Sequence, residues 1–431
     1  MANLTQLFIR SVRKVLDFVP GRPCSDTLYL PCYLADPAPV LPGRNEVMCA
    51  LGGHVDEPQT TGLASRQRFA DKIYESFRLP DGSWSNPIEV VGKATFPWMD
   101  DEAFLIAHPE TFIGSVASPS IVKVDDRYHM LFAASVSDPN ICTGEHPTEP
   151  NVHGSCLVPW SYFVLYWATS DDGFTWTLRN MERQRTDGNV ALEHAAVYYE
   201  PKPSETVPGA PFKGLISCSM LHDGEFFYIT TTLWATVGLR DVMLRFDGVG
   251  GEFEVWDGGT TWVELDDGRL PEWTNIEEWR GRVVAKIPNQ ITTTTTIPGH
   301  RFLMTFQGSA VTDRGGSGIN NRIEYACSND LLTWTTEQVV TSEVPHVADG
   351  TGASNVILNP VYYEDAAGYH FLWASNDYNQ DGQPDCDGPY PGLAIHQGDP
   401  TLPLPLPVPV VVPKPPRKRP VRRHAGTSSK A

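Results

Sequence analysis

One seven-residue turn constrains this chain more than any other feature. It reads Ser170-x-Asp172-x-x-Thr175-Trp176 and returns with identical spacing as Ser328-x-Asp330-x-x-Thr333-Trp334. Looser versions end at Trp84 and Trp262, so the four tryptophans are 92, 86 and 72 residues apart. Each turn follows or precedes a hairpin pattern. Ser118–Phe132 runs an apolar strand into Asp125-Asp126 and leaves on an aromatic strand, and Tyr162–Ala168 adds a third. Alternation broken by Asp/Gly turns is the signature of antiparallel strands. Similar hairpins cover Ser217–Tyr228, Thr292–Phe306 and Asn355–Trp373, and Ala35–Leu51 supplies one more near the start.

Four strands per recurrence predict an all-β chain, a five-bladed β-propeller of four-stranded antiparallel blades. The spacing exceeds the roughly 40 to 50 residues of short-repeat propellers, so long connections are expected between strands. The competing reading is a β-sandwich in which the Ser-Asp-Trp turns coincide. The expected organisation is an N-terminal amphipathic helix and loop over 1–34, the propeller over 35–398 and a separate tail over 399–431.

The 431 residues carry 33 Lys/Arg and 52 Asp/Glu, a net charge of −19. Seven of the bases and one acid lie from Asp399 onward, leaving a body near −25. An acidic body argues against nucleic acid as a partner, because phosphate recognition needs basic surface. It suits a neutral ligand and a soluble protein, extracellular or at a cell surface. The first residues lack the uninterrupted apolar core and cleavage site of a clear signal peptide, and no apolar run is long enough for a transmembrane segment. Cys49, Cys218 and Cys327 fall in strand patterns and read as buried thiols, whereas Cys24/Cys32 and Cys142/Cys156 sit in loops at separations that could bridge.

From Pro400 the chain alternates proline with leucine and valine, then turns basic through Lys414-Pro-Pro-Arg417-Lys418-Arg419. This is an extended spacer by composition; its functional reading is a stalk or an electrostatic tether to an anionic surface. Just before it, Asp377, Asn379, Asp381 and Asp385 place oxygens at positions 1, 3, 5 and 9 of a loop with Gly382 at position 6, and Gln383 can add its backbone carbonyl. Calcium takes six to eight such oxygens, so structural Ca²⁺ is expected here. A closing acidic ligand at position 12 is missing, and the alternative is a polar turn.

The blade pattern over about Ala35–Gln397 resembles the five-bladed propeller glycosidases: arabinanases and β-xylosidases, with invertases and levansucrases as relatives. The resemblance implies a carbohydrate held in a central funnel and acid/base hydrolysis of a glycosidic bond by opposed carboxylates on innermost strands. Asp36-Pro37 matches the family's first-blade base motif. Ser217 stands where the family has an aspartate, and Gln290 where it has the acid. Glutamine cannot donate and regain a proton as a carboxyl does. Substitute acids are Asp101, Glu102, Glu193 and Asp241, each more readily read as a solvated loop charge. Ser120, Ser217 and Gln290 are the expected polar contacts to sugar, and Trp98 the expected stacking platform. The alternative is a non-catalytic propeller that binds glycan or protein. The repeated turns are similar to the Asp-boxes of sialidases, which are structural.

Overall fold

The computed structural model describes residues 7–16, 33–41, 47–54, 71–108, 111, 113–136, 162–179, 188–199, 213–235, 238–248, 252–270, 288–309, 320–336, 338–343, 357–376 and 393–400. Two short strands open the chain, β1 (Phe8–Ile9) and β2 (Ser11–Leu16). The first sheet is β3 (Tyr33–Val40), β4 (Met48–His54), β5 (Asp71–Phe77) and β6 (Ile88–Val91). The second group is β7 (Ile113–Val124), β8 (Arg127–Val136), β9 (Tyr162–Ser170) and β10 (Thr177–Leu178). The third is β11 (Lys213–His222), β12 (Phe227–Ala235), β13 (Gly238–Phe246), β14 (Glu254–Trp256) and β15 (Trp262–Glu264). The fourth is β16 (Pro288–Thr293), β17 (Phe302–Ser309), β18 (Asn320–Ser328) and β19 (Gln338–Val339), followed by β20 (Thr341–Ser342). The last is β21 (Ile357–Asp365), β22 (Gly368–Asn376) and β23 (Leu393–Asp399). Within each group, consecutive strands pair antiparallel. A short parallel pairing of β9 with β11 fuses the second and third groups into one sheet.

Strand periodicity explains how these groups pack. Side chains alternate between faces, so a strand buried on both sides reads as continuously apolar. Along β8, Met130 and Phe132 enter the core shared with the first sheet, while Leu131 and Ala133 enter the core shared with the third group. On β9, Tyr166 and Trp167 divide the same way. Leu221 and Met243 meet Phe302 and Met304 between the third and fourth groups, and Leu303 and Tyr325 meet Ile357 and Phe371 between the fourth and last. Val361 and Leu372 meet Cys49 and Leu51, returning to the first sheet. Each fully buried large side chain contributes about 1.5–3 kcal/mol.

The N-terminal segment corrects the sequence expectation. It forms β1 and β2, not a helix, and belongs to the body. β2 pairs antiparallel with β23 as the fourth strand of the last sheet, and β1 pairs parallel with β20. Leu7, Ile9 and Leu16 are buried in inter-sheet cores. The physical reason is the edge of β23, whose free backbone groups need partners; a helix would leave that edge bare.

The recurring turns are anchored as their residues dictate. Asp172 accepts the backbone N–H groups of Phe174 (2.8 Å) and Thr175 (2.7 Å), and Trp176 donates its indole N–H to the Gly173 carbonyl (2.9 Å). Asp330 does the same for Leu332 and Thr333, and Trp334 donates to the Leu331 carbonyl. Gly173 sits at φ 83°, and Leu331 takes the equivalent left-handed place at φ 65°. Cys49, Cys218 and Cys327 are buried free thiols, as their strand context predicts. Among the described residues, no helix is long and apolar enough to cross a membrane.

Candidate functional site

The first strands of the five groups, β3, β7, β11, β16 and β21, neighbour one another in that order, and β21 returns to β3. Each breaks register with its second strand, and β7 has a further shift between Ile113 and Ser115. The breaks fall between Ala35 and Ala38, Ala117 and Ser120, Ile216 and Cys218, Pro288 and Gln290, and Leu358 and Val361. A bulge of this kind unpairs a residue and re-aims it. The residues so released are Asp36-Pro37, Ser118-Pro119, Ser217, Asn289 and Asn359-Pro360. Ser118, Ser217 and Asn359 hold φ of 50°, 54° and 51°. That region costs a non-glycine residue roughly 1–3 kcal/mol and is concentrated at functional sites.

The breaks open onto a channel of about 250 Å³ whose wall includes Pro37, Pro119, Cys218, Asn289 and Val361, one residue from each first strand. Hydrogen bonds tie these strands together around it. Met220 N–H donates to Ser120 Oγ (2.7 Å), Ile291 N–H to Ser219 Oγ (2.8 Å) and Tyr362 N–H to Gln290 Oε1 (2.6 Å). The Cys218 thiol donates to the Ser118 carbonyl (3.0 Å) and the Ser217 hydroxyl to the Pro288 carbonyl (3.3 Å). Asn289 Oδ1 accepts from Gln307 N–H, and Gln307 Oε1 from Asn359 N–H. Lys123 and His222 line the channel toward its turn end, and no carboxylate does among the described residues.

Placed on this geometry, the sequence candidates separate. Ser217 lies in the break of β11. Ser120 and Gln290 lie just past theirs, and their side chains accept backbone N–H groups of the next strand. Asp36 lies in the break of β3; its side chain is outside the described residues. Asp101 caps the short helix α1 (Glu102–Ala107), accepting Phe104 N–H at 2.9 Å, and is exposed. Glu193 ends α2 (Val190–Glu193), half-buried in the connection between β10 and β11. Asp241 is buried on β13, the third strand of its group, and its Oδ1 accepts from the Thr232 hydroxyl at 3.1 Å. Asp101, Glu193 and Asp241 thus stand on three separate elements and do not line the channel; the side chain of Glu102 lies outside the described residues. Trp98, half-buried, donates its indole N–H to the Thr111 carbonyl and stacks on His194 with centroids 5.0 Å apart.

The sequence reading passed over Ser118, Asn289 and Asn359. A signal existed: Asp-Pro, Ser-Pro and Asn-Pro recur on three of the five first strands, and X-Pro forbids regular pairing at that point. The expected calcium ligands Asp377, Asn379, Asp381, Gln383 and Asp385 lie outside the described residues. Among the described residues, no group of His, Cys, Asp and Glu is arranged to hold a metal ion.

No family model matches the chain, and no curated protein matches it. Solved structures similar to it include a family 117 glycoside hydrolase from the marine bacterium Zobellia galactanivorans, at 10% identity over 91% of each chain and TM-score 0.45. The RS223 β-xylosidase is 11% identical over 86% of this chain and 97% of its own, with TM-score 0.41. The Trypanosoma rangeli sialidase in complex with sialic acid is 10% identical over 92% of this chain and 54% of its own, with TM-score 0.43. Glycoside hydrolases are therefore among the structures this chain resembles. At this level of similarity the strand pairings and cores define the fold.

Proposed function

We propose that this protein is a five-bladed β-propeller of the glycoside hydrolase kind that takes a carbohydrate at the mouth of its central channel. The observation that carries the reading is the collar of register breaks, which sets Asp36, Ser118, Ser217, Asn289 and Asn359 at one level of the five first strands. The hydroxyl and amide side chains of Ser118, Ser217, Asn289 and Asn359 match the donors and acceptors of a sugar ring. Asp36 is the candidate base that activates water. Hydrolysis with inversion needs a second carboxyl about 6.5–9.5 Å away, which would come from a connection at the same end of the strands.

A second reading is glycan binding without turnover. It is favoured by the neutral residues at four of the five collar positions and by the absence of a carboxylate from the described channel wall. Hydrolysis of a panel of aryl glycosides and of plant, fungal and bacterial polysaccharides, by the intact protein and by Asp36→Asn, separates the two. Turnover that collapses in the variant supports hydrolysis with Asp36 as base. Turnover that persists sinks Asp36 in that role. No turnover with retained glycan binding supports the second reading. A location outside the cytoplasm and a structural calcium ion after β22 belong to the same proposal. A chelator that lowers the melting temperature, restored by added calcium, tests the ion.

A further inference from the structure

The acids at the turn end of the sheets fall into two kinds. Asp81, Asp172, Asp223 and Asp330 each accept local backbone N–H groups and hold their own turns. Asp125 and Asp126, between β7 and β8, make no hydrogen bond or ion pair among the described residues. With Asp171 and Asp247 they line a cavity of about 440 Å³. Its single Lys/Arg, Arg127, is already paired with Asp171 at 3.0 Å. His129, 8% exposed, lines the same cavity, and its Nδ1 has no hydrogen-bond partner. Burial, and then Arg127, Arg179 and His222 nearby, push this imidazole down to about 4, so it is a neutral acceptor. Phe227 adds an aromatic wall. Spare carboxylates, an imidazole acceptor and an aromatic face together fit a guanidinium or ammonium group on an apolar stem.

We infer that this cavity docks the chain's own basic segment, Lys414–Arg423. Six of those ten residues are Lys or Arg. The segment is tethered at the correct end: β23 runs toward the turns, and Asp399 at its finish bonds His370 beside the β21–β22 turn. The intervening Pro400–Pro413 holds six prolines. In an extended polyproline conformation, at about 3.1 Å per residue, it spans about 43 Å. That reach is on the scale of a domain this long, whose radius of gyration is about 21 Å. Tethering holds the segment at an effective concentration in the millimolar range, far above that of a free partner. The anionic surface that the tail fits is the protein's own body, on the face opposite the collar.

Zero-length carbodiimide cross-linking of the full-length protein, read by peptide mass spectrometry on a mixture of isotope-labelled and unlabelled chains, tests this. The ion pairs Lys72–Glu89 (3.2 Å) and Lys93–Asp100 (3.6 Å) serve as internal controls. The expected result joins Lys414 or Lys418 to Asp125, Asp126, Asp171 or Asp247 within one chain, with yield falling roughly fivefold in about 0.5 M salt. The double variant Asp125→Asn/Asp126→Asn lowers that yield by a similar factor and leaves the control links unchanged. Control links without any tail link to these four acids overturn the inference. Links formed only between chains overturn it in favour of a second copy, and links spread evenly over the body's acids overturn the cavity as the site.

Discussion

The two ends of the strands are built on opposite principles. At the turn end the connections are tight and self-contained: Val124 pairs with Arg127 across Asp125-Asp126, and Asp365 with Gly368 across two alanines. Their acids mostly bond their own backbone. At the other end the first strands begin, the register breaks lie within the strands, and the connections are long, as from His54 to Asp71 or Val136 to Tyr162. Backbone at φ near 50° occurs at both ends, in the turn at Asp125 and in the collar at Ser118, Ser217 and Asn359, but in the collar it lies inside strands. The contrast teaches that stability is concentrated in the inter-sheet cores and turns, while the collar gives up some of it to unpaired backbone inside the strands.

The largest expected effect tests the first half of that contrast. Trp167 is fully buried between the second and third groups, packed edge-to-face against Phe246 and covered by the Arg179 guanidinium. Trp167→Ala should cost about 3–5 kcal/mol in chemical denaturation. Next comes Glu364, which clasps the fourth group to the last by accepting from Thr294 and Tyr362 hydroxyls and from Thr295 and Thr296 N–H groups. Burial pulls its carboxyl up, but the Thr295 and Tyr362 hydrogen bonds outweigh that and hold it at about 2. Its contribution is therefore whole above the ordinary glutamate range near pH 4.5 and is lost as pH falls toward 2. Glu364→Gln should cost about 1–2 kcal/mol at pH 7 and nothing further at pH 2.

Glu75 has the opposite sign. It is 1% exposed on β5; its Oε1 accepts the Trp176 indole N–H at 3.1 Å, and its Oε2 has no partner. Burial pushes its carboxyl up to about 8, with the Trp176 hydrogen bond opposing and Asp172 adding to the rise. The folded state keeps the proton that the unfolded chain releases near pH 4.5, so stability declines as pH rises from 4.5 to 8. Glu75→Gln should flatten that decline, with melting temperatures that match wild type at pH 4.5 and exceed it at pH 9. At the other end of the strands, Asn359→Gly should raise stability by up to about 1 kcal/mol while weakening glycan binding. A loss of both stability and binding would merge the two ends into one.

What was legible in the sequence follows the same division. The Asp172 and Asp330 turns were readable because all their partners lie within seven residues. The buried thiols and the antiparallel hairpins were readable for a similar reason, being local alternation. β2 was not: its partner, β23, lies at the far end of the chain, and Arg10, Arg13 and Lys14 among aliphatics look equally amphipathic at helical or strand period. The collar was half legible. Asp36 and Ser217 fall in the breaks, but Ser120 and Gln290 are displaced from Ser118 and Asn289: the X-Pro pairs mark only three of the five breaks, and Asn289 carries no such mark. Asp101 was read as a loose loop acid because nothing local announces α1, the short helix it caps.

The most direct measurement is binding to an array of plant, fungal and bacterial glycans, comparing wild type with Asp36→Asn and Asn359→Ala at the collar and Asp257→Ala at a turn. A ligand at the channel mouth predicts one glycan class bound by wild type and by Asp257→Ala, with affinity reduced roughly tenfold or more in both collar variants, about 1.4 kcal/mol. Equal affinity in all four proteins, or no glycan bound by any of them, contradicts it.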